Sequence, residues 1–257
     1  MRISSNEAGK VFRRLFCIPL VIVFLVAGGC GTNLAEFYFE DLFGKGPSST
    51  VDKTAEQLAV EGMQKMQKKD YGDALKDFRK LKENYPYSKY AALAELKIGD
   101  ALFYDKKYGE AAIAYEEFAR LHPRNEVIPY VLYQVGMSHF LSFSTPDRDP
   151  EETRLAMEAF ARVIQGYPDS EYASRARKQM FECQKRIVAH EYNVGKFYYR
   201  LEEYHAAMPR LEKIQKEYPK ALKELGYEKD VEKMLARCEK ECAKGEKKPS
   251  IWVRLGF

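Results

Sequence analysis

The sequence predicts an all-α fold in which pairs of helices repeat along the chain. Residues 69–86 return, residue type by residue type, as residues 106–123, and two further copies end at Pro168 and Pro219. In all four copies an alanine stands twelve residues before the closing proline, and a large apolar residue stands eight before it. Such offsets indicate a repeat protein, in which each helix pair is unstable alone and stacks on its neighbours.

The first helix of each pair carries a glycine at the same position: Gly62, Gly99, Gly136 and Gly195. Because glycine inside a helix costs about 1 kcal/mol relative to alanine, four in register suggest close approach of a second helix. The order of glycine, tyrosine, alanine, aromatic residue and proline resembles the tetratricopeptide repeat, whose period is about 34 residues. The resemblance implies a right-handed α-solenoid of about five tetratricopeptide-like helix pairs over residues 54–245.

Residues 1–29 are predicted to be a signal peptide. Four basic residues come first, residues 15–26 are nearly all apolar, and small residues then lead to Cys30. The apolar run is shorter than the about 20 residues that a membrane-spanning helix needs, as is usual for secretory signals. The cysteine after small residues resembles the bacterial lipobox, which implies that Cys30 is lipidated and becomes the new N-terminus. The alternatives are an ordinary cleaved signal with an incidental cysteine and an uncleaved anchor.

Residues 30–53 have the Gly, Pro and Ser/Thr composition of a flexible tether. Within it, residues 36–43 are unexpectedly aromatic, and they either pack on the first repeat or contact the membrane surface or a partner.

The repeat region follows, with apolar residues at spacings of three and four. Residues 141–152 contain two prolines and predict a loop between the helices of the third repeat. Residues 171–200 predict one long helix, or two helices with a turn near Ala189. A further helix is predicted over 222–244, and residues 246–257 form a C-terminal tail.

The sequence lacks signs of catalytic chemistry. Its four histidines are scattered, without metal-ligand spacing, and it has no phosphate loop or nucleophile elbow. The cysteines beyond Cys30 are Cys183, Cys238 and Cys242, which are either ordinary thiols or include a Cys238–Cys242 bridge. Removing residues 1–29, which carry a net +3, lowers the formal net charge from +4 to about +1. We therefore predict no enzyme activity, no metal or cofactor, and no nucleic-acid partner.

In tetratricopeptide families the inner face comes from the first helix of each repeat. The register places a strip of large side chains on that face, and we call these residues, with two cations beside them, the predicted groove: Phe103, Tyr104, Tyr130, Tyr133, Phe140, Tyr192, Lys196, Tyr199 and Arg200. The rings would bind extended segments with aromatic ends, and the cations a terminal carboxylate. The alternative is that the tyrosines pack in the core between repeats.

Residues 70–94 contain the pattern DYxxAxxxFxxLxxxYPxSxYAxxA, and the second repeat reads YGEAAIAYEEFARLHPRN. Both resemble the ComL/YfiO family of outer-membrane-protein assembly lipoproteins. The resemblance implies a non-enzymatic scaffold, lipid-anchored on the periplasmic face of the outer membrane. It also implies that C-terminal repeats bind a BamA-type β-barrel assembly protein and that N-terminal repeats bind unfolded barrel precursors.

Charged side chains expected to be exposed in the C-terminal half are predicted to contact the barrel protein: Arg175, Arg177, Lys178, Arg186 and Arg237. The alternative function is that of another periplasmic tetratricopeptide adaptor, in Tol-linked cell division or in pilus biogenesis.

Overall fold

A computed structural model describes residues 53–142 and 150–244. The chain divides by its contacts into Met1–Asp52 and Lys53–Phe257, so every described residue belongs to the second unit. The predictions for the signal peptide, for Cys30, for the tether up to residue 52 and for the tail over 246–257 lie outside the described residues.

The described residues form ten α-helices, and they contain no β-strand. In chain order these are α1 (Ala55–Gln67), α2 (Tyr71–Asn84), α3 (Ala91–Tyr104), α4 (Tyr108–Leu121), α5 (Ile128–Ser142), α6 (Glu151–Gly166), α7 (Glu171–Arg200), α8 (Tyr204–Glu217), α9 (Pro219–Glu224) and α10 (Glu228–Ala243).

From α1 to α8 each helix packs against the one before it, and α10 packs on α8. The fold is therefore the predicted all-α solenoid, with four full helix pairs and a shorter fifth made of α9 and α10. The segment 171–200 is one continuous helix, which settles the choice left open by the sequence. The single helix predicted over 222–244 is wrong, because Gly226 turns the chain with a φ of 72° between α9 and α10.

The repeated glycines have a common structural role. A Cβ atom built on Gly62, Gly99, Gly136 or Gly195 would lie 2.5–2.8 Å from a large side chain of the following helix. That side chain is in each case the residue eight positions before the repeat's closing proline: Phe78, Tyr115, Phe160 and Leu211. Glycine and large residue are thus two halves of one contact, which confirms the predicted close approach of the paired helices.

Short turns join the helices of three pairs. Lys69, Lys106 and Glu202 each have a φ near 60°, an uncommon conformation for residues with a side chain. In the first turn the Lys69 amide donates to Met66 and the Asp70 amide donates to Lys65, which satisfies the last carbonyl groups of α1. The same bonds recur in the other two turns.

The buried side chains form three clusters along the chain. The first joins α1, α2 and α3. The second extends from α2 to Cys183 on α7, and the third begins at Val188 and continues to Cys238 on α10. Helix α7 therefore passes from one core to the next within its own length.

Candidate functional site

The predicted groove separates into several local clusters. Tyr104, at the end of α3, is half exposed (51 %) and stacks on Tyr71 with ring centroids 5.6 Å apart. Phe103 packs edge-on against Tyr104 and Tyr108. These rings lie beside the turns that join the helices of the first two pairs, and Tyr104 is the most exposed ring of the predicted groove.

A second cluster surrounds a buried carboxylate. Asp100 is only 2 % exposed, and its Oδ1 accepts hydrogen bonds from the hydroxyl groups of Tyr115 and Tyr130, each at 2.7 Å. Its Oδ2 lies 2.7 Å from the Lys97 ammonium. Burial and the neighbouring Asp100 charge raise the pKa of both tyrosines, so both remain neutral donors. Tyr130 is therefore fixed by a hydrogen-bond network and presents only part of its ring.

Tyr133 and Tyr172 extend this cluster toward the surface. The Tyr172 ring lies 5.6 Å from that of Tyr130 and 5.8 Å from that of Tyr133, and Tyr133 also packs on Phe160. Tyr172 comes from the first turn of α7, outside the register used to predict the groove. The aromatic surface thus spans α5 and α7.

Tyr192 belongs to the interior of the C-terminal half, and Lys196 lies beside it with about a third of its side chain exposed. Tyr192 is 6 % exposed, and its ring stacks on Tyr227 at 4.1 Å. Its hydroxyl donates to Asp230, and the Lys196 ammonium donates to that hydroxyl at 2.7 Å. Hydrogen bonds from Tyr192 and Lys196 lower the pKa of Asp230 although burial opposes them. Tyr192 is therefore a core residue, as in the alternative interpretation that the tyrosines pack between repeats.

The last groove residues lie at the end of α7. Tyr199 is half-buried and packs edge-on against Tyr204, with the Arg237 guanidinium 5.8 Å from its ring. Arg200 is exposed in the final turn of the helix. Of the two cations predicted to receive a carboxylate, Arg200 is the more accessible.

Phe140 and Arg186 form a contact between α5 and α7. The guanidinium of Arg186 lies 3.4 Å from the ring centroid of Phe140 and donates to the Phe140 carbonyl oxygen at 2.7 Å. Burial lowers the pKa of Arg186. This residue is thus half-buried, contrary to the expectation of an exposed charge, because it satisfies a carbonyl group at the end of α5.

The other cations predicted to bind a partner are exposed. Arg175 lies over the Tyr172 ring and 3.6 Å from Glu171, while Arg177 and Lys178 follow on the same helix. Arg237 is exposed on α10.

Sequence reasoning missed a pocket between α7 and α8. It has a volume of about 410 Å³ and is lined by Glu191, Tyr198, Ala206, Pro209, Arg210 and Lys213. Glu191 is 4 % exposed, and its carboxylate lies 2.7 Å from Arg210 and 3.5 Å from Lys213. Two cations sharing one buried carboxylate leave one excess positive charge at the pocket.

The repeat register contains a signal for this pocket. Glu191 stands four residues before Gly195. The equivalent positions hold the buried Leu58 and Leu132 in the first and third repeats, and in the second they hold Glu95, which forms a hydrogen bond with His122. An acidic side chain at this inward-facing position requires a partner nearby, since a buried charge is tolerated only when paired.

Within residues 53–142 and 150–244, no helix is long and apolar enough to cross a membrane. The same residues contain no group of three His, Cys, Asp or Glu side chains placed to hold a metal ion. Cys183, Cys238 and Cys242 are free thiols, so the alternative of a Cys238–Cys242 bridge is not realised.

Comparison with known proteins gives matches over most of the chain. The model of the YfiO family, described as outer membrane lipoprotein, matches residues 51–248. The outer membrane protein assembly factor BamD of Neisseria meningitidis is 30 % identical over 223 residues, which cover 80 % of this chain and 84 % of that protein. The protein of the same name from Vibrio cholerae is 29 % identical over 190 residues, covering 69 % and 79 %.

A more distant relative from Rickettsia prowazekii, again named outer membrane protein assembly factor BamD, is 27 % identical over 76 % of this chain and 73 % of its own length. Among solved structures, a tetratricopeptide repeat protein from Parabacteroides merdae is similar with a TM-score of 0.40 and 16 % identity, covering 74 % of this chain and 67 % of that one.

Proposed function

The chain belongs to the YfiO family of outer membrane lipoproteins, and from this premise we propose that it is a non-enzymatic scaffold of outer-membrane β-barrel assembly. The shared name of its relatives supports assembly over the alternative of an adaptor in cell division or pilus biogenesis. Affinity purification from detergent-solubilised membranes tests the choice. A BamA-type barrel protein should co-purify in near-equal amount, and its absence would refute the assembly role.

We propose that Cys30 carries the lipid that holds the scaffold on the periplasmic face of the outer membrane. The support is the apolar run that ends in three small residues before this cysteine. Several acyl chains together give stable anchoring, whereas one binds reversibly. Cys30→Ala should abolish the lipid mass on the mature N-terminus and release the protein from the outer-membrane fraction. Wild-type retention without that mass would contradict the assignment.

We propose that the partner-binding surface of the C-terminal half centres on the pocket of Arg210 and Lys213. The observation that carries this proposal is that Arg210 and Lys213 share the buried carboxylate of Glu191 at the pocket, which leaves one excess positive charge there. An acidic side chain of the barrel protein would balance that charge, and Arg210 offers it a planar, multidentate donor. The exposed Arg175 and Arg237 would then act at the rim, where charges mainly change association rate and salt dependence.

Arg210→Ala tests the pocket directly. Loss of one partner of a hydrogen-bonded interfacial charge pair costs about 2–5 kcal/mol, which predicts a fall in affinity for the barrel protein of about 30-fold or more. Lys216→Ala is the matched control, because it removes an exposed cation from the same helix without touching the pocket. Equal losses in both variants would show that only the overall charge of α8 matters.

We propose that unfolded barrel precursors bind the ring cluster of Tyr71, Phe103 and Tyr104 in the first two helix pairs, with Tyr104 as the main contact. Its half-exposed, stacked ring can cover an aromatic side chain without unpacking the core. Tyr104→Ala should weaken binding of a precursor peptide several-fold and leave the unfolding midpoint nearly unchanged. Tyr192→Ala is the contrasting control, since Tyr192 is buried and its loss should lower stability. Normal peptide binding by Tyr104→Ala would refute the proposal.

A further inference from the structure

We propose that Glu191 is a positioning residue for the partner-binding pocket. Acting through Arg210 and Lys213, it holds the two cations side by side and limits the pocket to one excess positive charge, so that the pocket accepts a single carboxylate. The inference rests on the proposed function, and it concerns a residue that is only 4 % exposed.

The geometry separates the roles of these side chains. Glu191 comes from the middle of α7 and is 4 % exposed, so it lies beneath the pocket. Its Oε2 accepts a hydrogen bond from Arg210 Nη1 at 2.7 Å, and its Oε1 lies 3.5 Å from Lys213 Nζ. Each carboxylate oxygen therefore serves a different cation. Arg210 also lies 5.9 Å from the Tyr198 ring, which limits the guanidinium on a second side.

The spacing on α8 explains why such a residue is needed. Arg210 and Lys213 are three positions apart and so lie on the same side of the helix, where like charges repel and would turn the two side chains apart. A buried carboxylate between them offsets that repulsion and orders both side chains before the partner arrives. Preorganisation of this kind strengthens binding by reducing the ordering cost on association.

This arrangement makes an unusual prediction for Glu191→Gln. Removing a negative charge from a site that binds an acid should increase long-range attraction, and association at low salt should become faster. Yet the glutamine side chain offers only one oxygen acceptor, so Lys213 loses its partner and Arg210 its charge-assisted bond. We expect dissociation of the barrel protein to become about tenfold faster, because loss of buried pairing acts mainly on the dissociation rate.

Glu212→Gln provides the matched control. Glu212 lies on the same helix, two residues from Arg210, and is exposed. Its neutralisation changes the net charge of the protein by the same amount as Glu191→Gln without touching the pocket, so association should become faster while dissociation stays at the wild-type rate. Surface plasmon resonance with the full-length lipoprotein and the purified barrel protein at two salt concentrations measures both rates. Unchanged or slower dissociation in Glu191→Gln overturns the inference. An equal increase in the dissociation rate of both variants overturns it as well.

A second measurement without any partner keeps the inference testable if the proposed function fails. In the wild-type protein, NMR should resolve separate Nη–H signals for Arg210, because the bond to Glu191 hinders rotation of the guanidinium. In Glu191→Gln these signals should merge in a protein that circular dichroism shows to be folded. A freely rotating Arg210 in the wild type overturns the inference, whereas a fixed Arg210 in a wild type that does not bind the barrel protein contradicts only the proposed function.

Discussion

Gly136→Ala would test whether the contact between glycine and large residue sets the spacing of the helix pairs. The added Cβ would lie 2.5, 2.6 and 2.9 Å from three ring carbons of Phe160, where ordinary van der Waals contacts begin near 3.4 Å. Phe160 is fully buried, so its ring cannot move into solvent. Helices α5 and α6 would have to separate by several tenths of an ångström or more.

The expected cost follows from two opposing effects. Overpacking a well-filled core destabilises by about 1–3 kcal/mol, while replacing glycine by alanine inside a helix gains about 1 kcal/mol. The steric effect dominates because it involves three atoms of one rigid ring, and we expect a net loss of about 1–2 kcal/mol in the free energy of unfolding. For a chain of this size that lowers the melting temperature by about 2–8 °C.

Urea denaturation followed by circular dichroism measures the loss, with Gly109→Ala as the control. Gly109 is exposed on α4 and a Cβ there would meet nothing within 4 Å, so this variant should be as stable as the wild type or more so. Phe160→Leu should partly rescue Gly136→Ala, since the fourth repeat already pairs Gly195 with a leucine. The reasoning fails if Gly136→Ala is as stable as Gly109→Ala.

Three further predictions concern buried polar groups. Tyr115→Phe removes one hydrogen-bond donor to the buried Asp100 and should lower the free energy of unfolding by about 1–3 kcal/mol in urea titrations. An unchanged midpoint would show that this hydrogen bond does not stabilise the fold. Burial raises the pKa of Glu152, but hydrogen bonds from His139 and Ser142 outweigh it and leave that pKa below 4.5. The stabilisation from these hydrogen bonds is therefore present above pH 4.5 and is lost as pH falls through the lowered pKa of Glu152. The difference in stability between wild type and Glu152→Gln should then disappear in acid. A difference that persists in acid contradicts this reasoning. Burial raises the pKa of the Cys238 thiol to about 11, so it should react with iodoacetamide at about pH 8 only after unfolding, and rapid labelling of the native protein would count against its packing.

Much of the fold could be predicted from the sequence because residues that contact each other recur at the same positions of successive repeats. In three of the four repeats the glycine and the large residue that it contacts stand sixteen positions apart, as Gly62 and Phe78 do, and each needs the other to be small or large. The break between α9 and α10 was missed because those helices lie beyond the last repeat, where no register guides the prediction. The signal was nevertheless present, since Gly226 is a residue type that readily adopts the positive φ found there.

The candidate site was predicted less well, for a physical reason. The register assigns a side chain to a helix face, but its exposure depends on what covers that face. Tyr192 is buried by Tyr227 and Asp230, which come from the turn before α10 and from α10 itself, outside the repeats. The same limit applies to Arg186, whose partner is a carbonyl group at the end of α5. A side chain can be placed from periodicity, whereas its neighbours across the fold cannot.

The division of the core suggests how the two proposed binding regions coexist. Tyr104 contacts Phe103, which packs on the core that ends at Cys183, whereas Arg210 lies on the helix that packs into the core beginning at Val188. Helix α7 belongs to both, and Arg186 ties it to α5 between the two clusters. Because sites without shared contacts usually behave independently, damage to one surface should leave the other folded. The continuous helix α7 thus joins the two binding surfaces in one molecule, while each surface rests on its own hydrophobic core.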